Sequence, residues 1–182
     1  MQYPPTPKKD HTDTYQATQV SDPYHWLEDD RSEETAAWVK AQNATTFGYL
    51  DQIPYRKALF TRLEKLQNYE RFSVPTRIGK AMFYYRNDGL QNQSVLYKQV
   101  GSAAPEVFID PNTLSKEGTV TVSLAGVSDD DKTLAFSVAK AGSDWTDIIF
   151  YNAETAKPLA DTLKWVKFSG ASFYGNGVYY SR

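Results

Sequence analysis

GKAMFYYR at 79–86, DKTLAFSV at 131–138 and GNGVYYSR at 175–182 each set a Gly or Asp turn directly ahead of an apolar, ring-bearing segment. They begin 52 and then 44 residues apart. Self-similarity at about 40 to 50 residues, with roughly four strands per unit, is the signature of a β-propeller blade. An antiparallel sandwich also shows short strands and Asp-Gly turns, so spacing alone leaves both architectures open.

Working outward from these segments, the hydrophobic period is two throughout the chain beyond residue 70. PTRIGKAMFYYR predicts two short strands joined through Ile78, Gly79 and Lys80, and a strand over 94–100 follows the Asn-Asp-Gly of RNDGLQNQSVLYKQV. Further strands are predicted at about 119–126, 133–139 and 145–151, with Gly and Asp clusters between them. The 13 tyrosines suit strands with one buried and one wet face.

Before residue 70 the pattern is helical. Asp22 and Pro23 read as an N-cap and first helical position for a short turn to about Glu28. Ser32 caps a longer helix with Glu33 and Glu34 in its first turn, where carboxylates favour the positive end of the dipole. Its apolar stripe is Ala37, Trp38, Ala41 and Ala44 or Thr45, extended by Phe47 and Leu50. Pro54 opens a third helix on which Leu59, Leu63 and Leu66 form one row while Arg56, Lys57, Arg62 and Lys65 stay wet.

Composition narrows the chemistry. Apolar content of 41% and charged content of 23% are globular, and a net charge of -2 without a basic stripe excludes phosphate-neutralising surfaces for nucleic acid or anionic membrane. No cysteine is present, which removes disulfides, thiolate metal sites and a cysteine nucleophile. The histidines are His11 and His25, too few for a three-histidine zinc site, and no carboxylates stand at the spacing of a mixed one, so no metal or cofactor is expected. No run of about 18 apolar residues occurs. The opening MQYPPTPKKD lacks a secretory apolar run and reads as an extended, proline-stiffened arm, so the expected location is cytoplasmic.

DPYHWLED at 22–29 resembles the N-terminal signature of the prolyl oligopeptidase family of serine peptidases. GLQNQSVLY at 89–97, GVSDDDKTLAFSV at 126–138, AGSDW at 141–145 and KWVKFSGASF at 164–173 resemble the same family in the same order. The resemblance implies a mainly β chain with N-terminal α. Residues 1–70 would be a helical segment packing on an α/β-hydrolase domain, and 71–182 the first two blades and start of a third in a seven-bladed β-propeller. It also implies hydrolysis of short proline-containing peptides on the carboxyl side of proline, with the propeller gating substrate by size. Two substrate-binding positions carry over. Phe168 matches a phenylalanine lining the propeller side of the pocket, and Asp144 an acidic residue shaping the field near the substrate's amino end. Read without the family, Phe168 is a core residue and Asp144 a turn or cap before the strand at 145–151.

Acyl transfer of this kind needs a Ser on a tight elbow flanked by Gly two residues to each side, a His base and an orienting Asp. Gly126-Val127-Ser128 and Gly170-Ala171-Ser172 each supply the first Gly and lack the second. No catalytic residue is therefore assigned in this chain, and by the resemblance the triad lies in a C-terminal hydrolase domain that is the chain's partner. His25 beside Asp22, Glu28 and Asp29 lacks a nucleophile and reads as a surface histidine in a capping segment. Without that partner, Trp26 and Trp38 are expected to be unusually exposed, and the open blades to aggregate or remain partly ordered. Two alternatives stand: an oligopeptidase cutting after basic residues, and a non-catalytic propeller-type peptide-binding module.

Overall fold

The computed structural model describes residues 2–182 and divides into two compact units, the first ending at Leu63 and the second running Glu64–Arg182.

The first unit opens with an arm and a hairpin. Strands β1 (Thr12–Tyr15) and β2 (Thr18–Ser21) pair antiparallel, Thr12 opposite Ser21 and Tyr15 opposite Thr18. The expected arm is thus extended only as far as about residue 11. A 3-10 turn, His25–Glu28, follows. Asp22 does not cap it as an α-helix: Tyr24 occupies the cap position, while Asp22 Oδ1 accepts the Tyr24 N–H at 3.2 Å in a local turn. Helix α1 (Glu33–Leu50) starts as its sequence dictates, with Ser32 accepting from Thr35 N at 3.1 Å.

The protected face of α1 is Thr35, Trp38, Gln42 and Thr45 rather than the alanine stripe, because the arm lies along it. Prolines 4, 5 and 7 give the arm carbonyls with few neighbouring N–H groups, and side chains supply the donors. Trp26 Nε1 donates to Pro7 O at 3.0 Å, Trp38 Nε1 to Thr6 Oγ1 at 3.0 Å and Gln42 Nε2 to Pro4 O at 3.4 Å. The expectation of unusually exposed tryptophans is corrected accordingly: both are half-buried. Helix α2 (Arg56–Gln67) keeps its apolar row in the open, with Leu59, Leu63 and Leu66 each more than half exposed.

The second unit is built of antiparallel meanders. Strands β3 (Arg71–Phe72) and β4 (Thr76–Ile78) both pair with β5 (Ala81–Asn87), one at each end. Pro75, with no N–H for a ladder, lies between them. Gly79 takes the β4 to β5 turn at φ +57°, a conformation that suits glycine. Strands β6 (Val95–Val100) and β7 (Glu106–Ile109) complete this first sheet. The second sheet runs in sequence order through β8 (Val120–Val127), β9 (Thr133–Lys140), β10 (Trp145–Asn152) and β11 (Pro158–Lys167). Strands β12 (Ser172–Tyr174) and β13 (Gly177–Tyr179) pair as a third, two-stranded sheet.

The period of two along β9 explains why the sheets stack. Leu134, Phe136 and Val138 join one core with Phe83, Leu96, Phe108 and Val122, whereas Ala135 joins a second with Ile148, Phe150, Val166 and Ala171. The second sheet is therefore buried on both faces. Phe136 is fully buried, meets Tyr151 edge-on at 5.8 Å and contributes roughly 1.5–3 kcal/mol by burial. Polar ties cross the same interface: Leu124 N donates to Tyr85 Oη at 3.2 Å, and the buried Lys98 Nζ donates to Glu154 O at 2.6 Å. Between the second and third sheets Ala171 N donates to Ala125 O at 3.0 Å. A Cβ on Gly126 would fall 2.1 Å from Ala171 O, so this backbone approach requires glycine.

Candidate functional site

Asp144 and Phe168, 24 residues apart in sequence, both lie beside Lys167 at one end of the second sheet. The turn from β9 to β10 passes through Ala141 and Gly142, both at positive φ, and Ser143 Oγ accepts the Trp145 N–H at 3.1 Å. Ser143 thus caps the strand and leaves the Asp144 side chain free to face β11. Trp145 pairs with Lys167 across the ladder. Between the pairs Thr146 with Val166 and Ile148 with Leu163, β11 carries an extra residue, and Trp165 sits in that bulge at φ +58°. The bulge brings Trp165 edge-on to Trp145 at 5.6 Å.

Lys167 is the link between the two expected positions. Its Nζ lies 3.8 Å from Asp144 Oδ2, 5.3 Å from the Trp145 ring centre and 5.2 Å from that of Phe168. A cation over an aromatic face is attracted by the ring quadrupole. Phe168 itself is 84% exposed and holds φ +52°, so it is not a core residue. The result is a surface patch of three rings flanked by one charge of each sign. Such a patch has the means to stack against an apolar group and to pair with a charge of either sign. Sequence reasoning missed Trp145, Trp165 and Lys167; the aromatic spacing in KWVKF was the available signal.

Of the serines near Gly126 and Gly170, Ser128 is engaged in a turn and Ser172 opens β12 opposite Tyr179. Ser128 Oγ donates to Asp130 Oδ1 at 2.7 Å and accepts the Thr133 N–H at 2.9 Å, closing the turn between β8 and β9. Hydrogen bonds from Ser128 and from Lys132 N hold the Asp130 carboxyl below its ordinary value. Tyr85, desolvated beside β8, has its phenol raised above its ordinary value, the Leu124 N–H opposing that shift. A cavity of ≈ 670 Å³ lined by Phe150, Leu163, Phe173 and Val178 borders the two-stranded third sheet and includes none of the patch residues.

Successive antiparallel meanders laid face to face, here of five strands, four strands and a two-stranded start, are the arrangement of β-propeller blades. Residues 4–182 match the family described as prolyl oligopeptidase, N-terminal beta-propeller domain, and the chain belongs to the prolyl oligopeptidase family. It is 48% identical over 182 residues to the prolyl endopeptidase of Elizabethkingia meningoseptica, covering 100% of this chain and 26% of that protein. Against the dual function macrocyclase-peptidase POPB of Galerina marginata it is 35% identical over 196 residues, covering 92% and 26%. A solved structure of prolyl oligopeptidase B from Galerina marginata, bound to a 35mer hydrolysis and macrocyclization substrate, superimposes with a TM-score of 0.70 at 32% identity, covering 93% of this chain and 28% of that one. The chain spans roughly a quarter of the length of the relatives it matches.

Proposed function

We propose that this chain is the propeller portion of a serine peptidase that hydrolyses short peptides on the carboxyl side of proline. The observation that carries the reading is the uninterrupted similarity to a prolyl endopeptidase at 48% identity along all 182 residues. In this reading the Ser, His and Asp that perform acyl transfer belong to a hydrolase domain, and the propeller screens substrates by size.

Phe168 contacts the residues that precede proline, where a ring exposed over most of its surface has area to offer. Asp144 sets the field at the substrate's amino end, partly offset by Lys167 at 3.8 Å. Residues 1–70 pack against the hydrolase domain, a role supported by the open row of Leu59, Leu63 and Leu66 on α2. Residues 71–182 supply blades one, two and the start of three, and the protein works in the cytoplasm.

The test is a chimera in which this chain replaces the matching quarter of the Elizabethkingia meningoseptica enzyme. Hydrolysis of a chromogenic proline peptide by that chimera is expected, with no turnover by the 182 residues alone. A folded chimera that binds but does not cleave such peptides would support the binding-module alternative, and turnover by the isolated chain would overturn the division of labour.

A further inference from the structure

The first unit brings the chain's two histidines together with carboxylates that the sequence keeps apart. Because Thr12 pairs with Ser21, His11 stands opposite Asp22, and Asp22 N donates to His11 O at 3.0 Å. The His11 and His25 rings stack at 3.7 Å and 5°. His11 Nε2 is engaged by Asp13 Oδ1 at 3.1 Å, which fixes the ring on which His25 rests. His25 Nδ1 then faces Asp22 Oδ2 at 3.5 Å and Glu28 Oε2 at 3.6 Å.

We propose that Asp22, His25 and Glu28 form a binding site for a divalent transition-metal ion of the zinc type. Three observations support it. The three ligand atoms all lie within 4.8 Å of one another. The two nitrogen to oxygen separations exceed the roughly 2.7–3.2 Å of a good N–H···O bond, yet they match the edge of a tetrahedron with metal bonds of about 2.0–2.2 Å, which is about 3.3–3.6 Å. Lastly, although the His25 side chain is 40% exposed as a whole, its Nδ1 atom is shielded from solvent and has no hydrogen-bond partner among the described residues. With its proton on the other ring nitrogen, Nδ1 offers a lone pair that converges with two carboxylate oxygens on one point, which a cation completes.

The donors suit a borderline ion: one imidazole nitrogen and two carboxylate oxygens, whose two negative charges balance a divalent charge. Asp22 Oδ1 is already occupied by the Tyr24 N–H, which leaves Oδ2 to coordinate. The remaining position faces water, since the Glu28 side chain is 71% exposed. The overlapping trio His11, Asp13 and His25 is less suited, because its His11 and Asp13 atoms are already bonded to each other.

The spacing is sharper in a 3-10 turn than in an α-helix. Asp22-x-x-His25-x-x-Glu28 fans over an arc of about 120° at 3.6 residues per turn but falls in line at three per turn. The turn is of the latter kind, with His25 N donating to Asp22 O and Leu27 N to Tyr24 O.

The test is titration of the untagged chain with Zn2+, and with Co2+ for its visible absorption bands. One equivalent is expected to bind, with a nitrogen ligand evident in the Co2+ spectrum and a rise in Tm on addition of Zn2+. His25→Ala and Asp22→Asn should each weaken binding at least tenfold. Should either lose its fold by circular dichroism, Glu28→Gln at an exposed position gives the same reading. His11→Phe keeps a stacking ring without a ligand and should retain binding. Failure of the folded chain to bind Zn2+, or undiminished binding by folded His25→Ala, would overturn the proposal, and loss of binding in His11→Phe would move the site to the other trio. None of these outcomes depends on peptidase activity.

Discussion

The segment up to Leu63 and the stacked sheets beyond it hold their shapes by different means. Among the described residues every buried hydrophobic side chain lies at Ile78 or later, whereas the earlier segment buries only Thr35. Helix α1 rests on a cap, two acidic residues in its first turn and hydrogen bonds to a proline-rich arm. The sheets rest on ring contacts between residues far apart in sequence, such as Phe83 with Phe108 at 5.1 Å and Phe108 with Phe136 at 6.0 Å. Local signals suffice to form an element, but only non-local burial gives it a cooperative core.

The contrast is most directly broken at Phe136. Phe136→Ala should cost the chain about 3–5 kcal/mol in urea unfolding, since it empties a fully buried site. Leu63→Ala on the open face of α2 should change stability by less than about 0.5 kcal/mol in this chain. In the chimera it should destabilise measurably if that face is covered there. Equal losses for the two substitutions in the chain alone would erase the distinction.

Gly126→Ala sharpens it at the interface between the second and third sheets. The added Cβ meets a backbone oxygen that cannot rotate away, so a loss of about 1–3 kcal/mol is expected, with exchange protection falling first in β12 and β13. A change of pH acts on the interface between the first and second sheets. Burial raises the Tyr85 phenol, so its contribution is complete below the ordinary tyrosine range near pH 10 and is lost as pH rises through the folded value. Tyr85→Phe should therefore flatten the alkaline limb of stability against pH.

The smallest effect on stability is expected at Phe168. Phe168→Ala should leave the Tm unchanged, as the ring is 84% exposed. In the chimera it should lower kcat/KM by roughly 5- to 30-fold, equivalent to about 1–2 kcal/mol. A fall in Tm without a change in kinetics would make it a structural residue instead.

The sheet strands that alternate apolar and polar residues between Gly or Asp turns, β4 to β6 and β8 to β10, were legible in the sequence. Others were not. TDTYQATQVS hides β1 and β2 because both faces are wet and the turn uses Gln16 at φ +55° where a glycine would have announced it. PLADTLKWVK hides β11 because this edge strand is mostly exposed and carries two irregularities of register. The same bulge concealed the patch: period two cannot foretell that Trp165 turns toward Trp145. Asp144 and Phe168 were reached through family resemblance alone, and Lys167, which joins them, was reached only through geometry.

Gly126 also has a bearing on thickness. With no side chain there, the backbone of β8 comes up against the Ala171 carbonyl, and a single methyl group would have to wedge the two layers apart. The residue therefore works as a shim of zero width, setting how thin the seam between the second and third sheets can be.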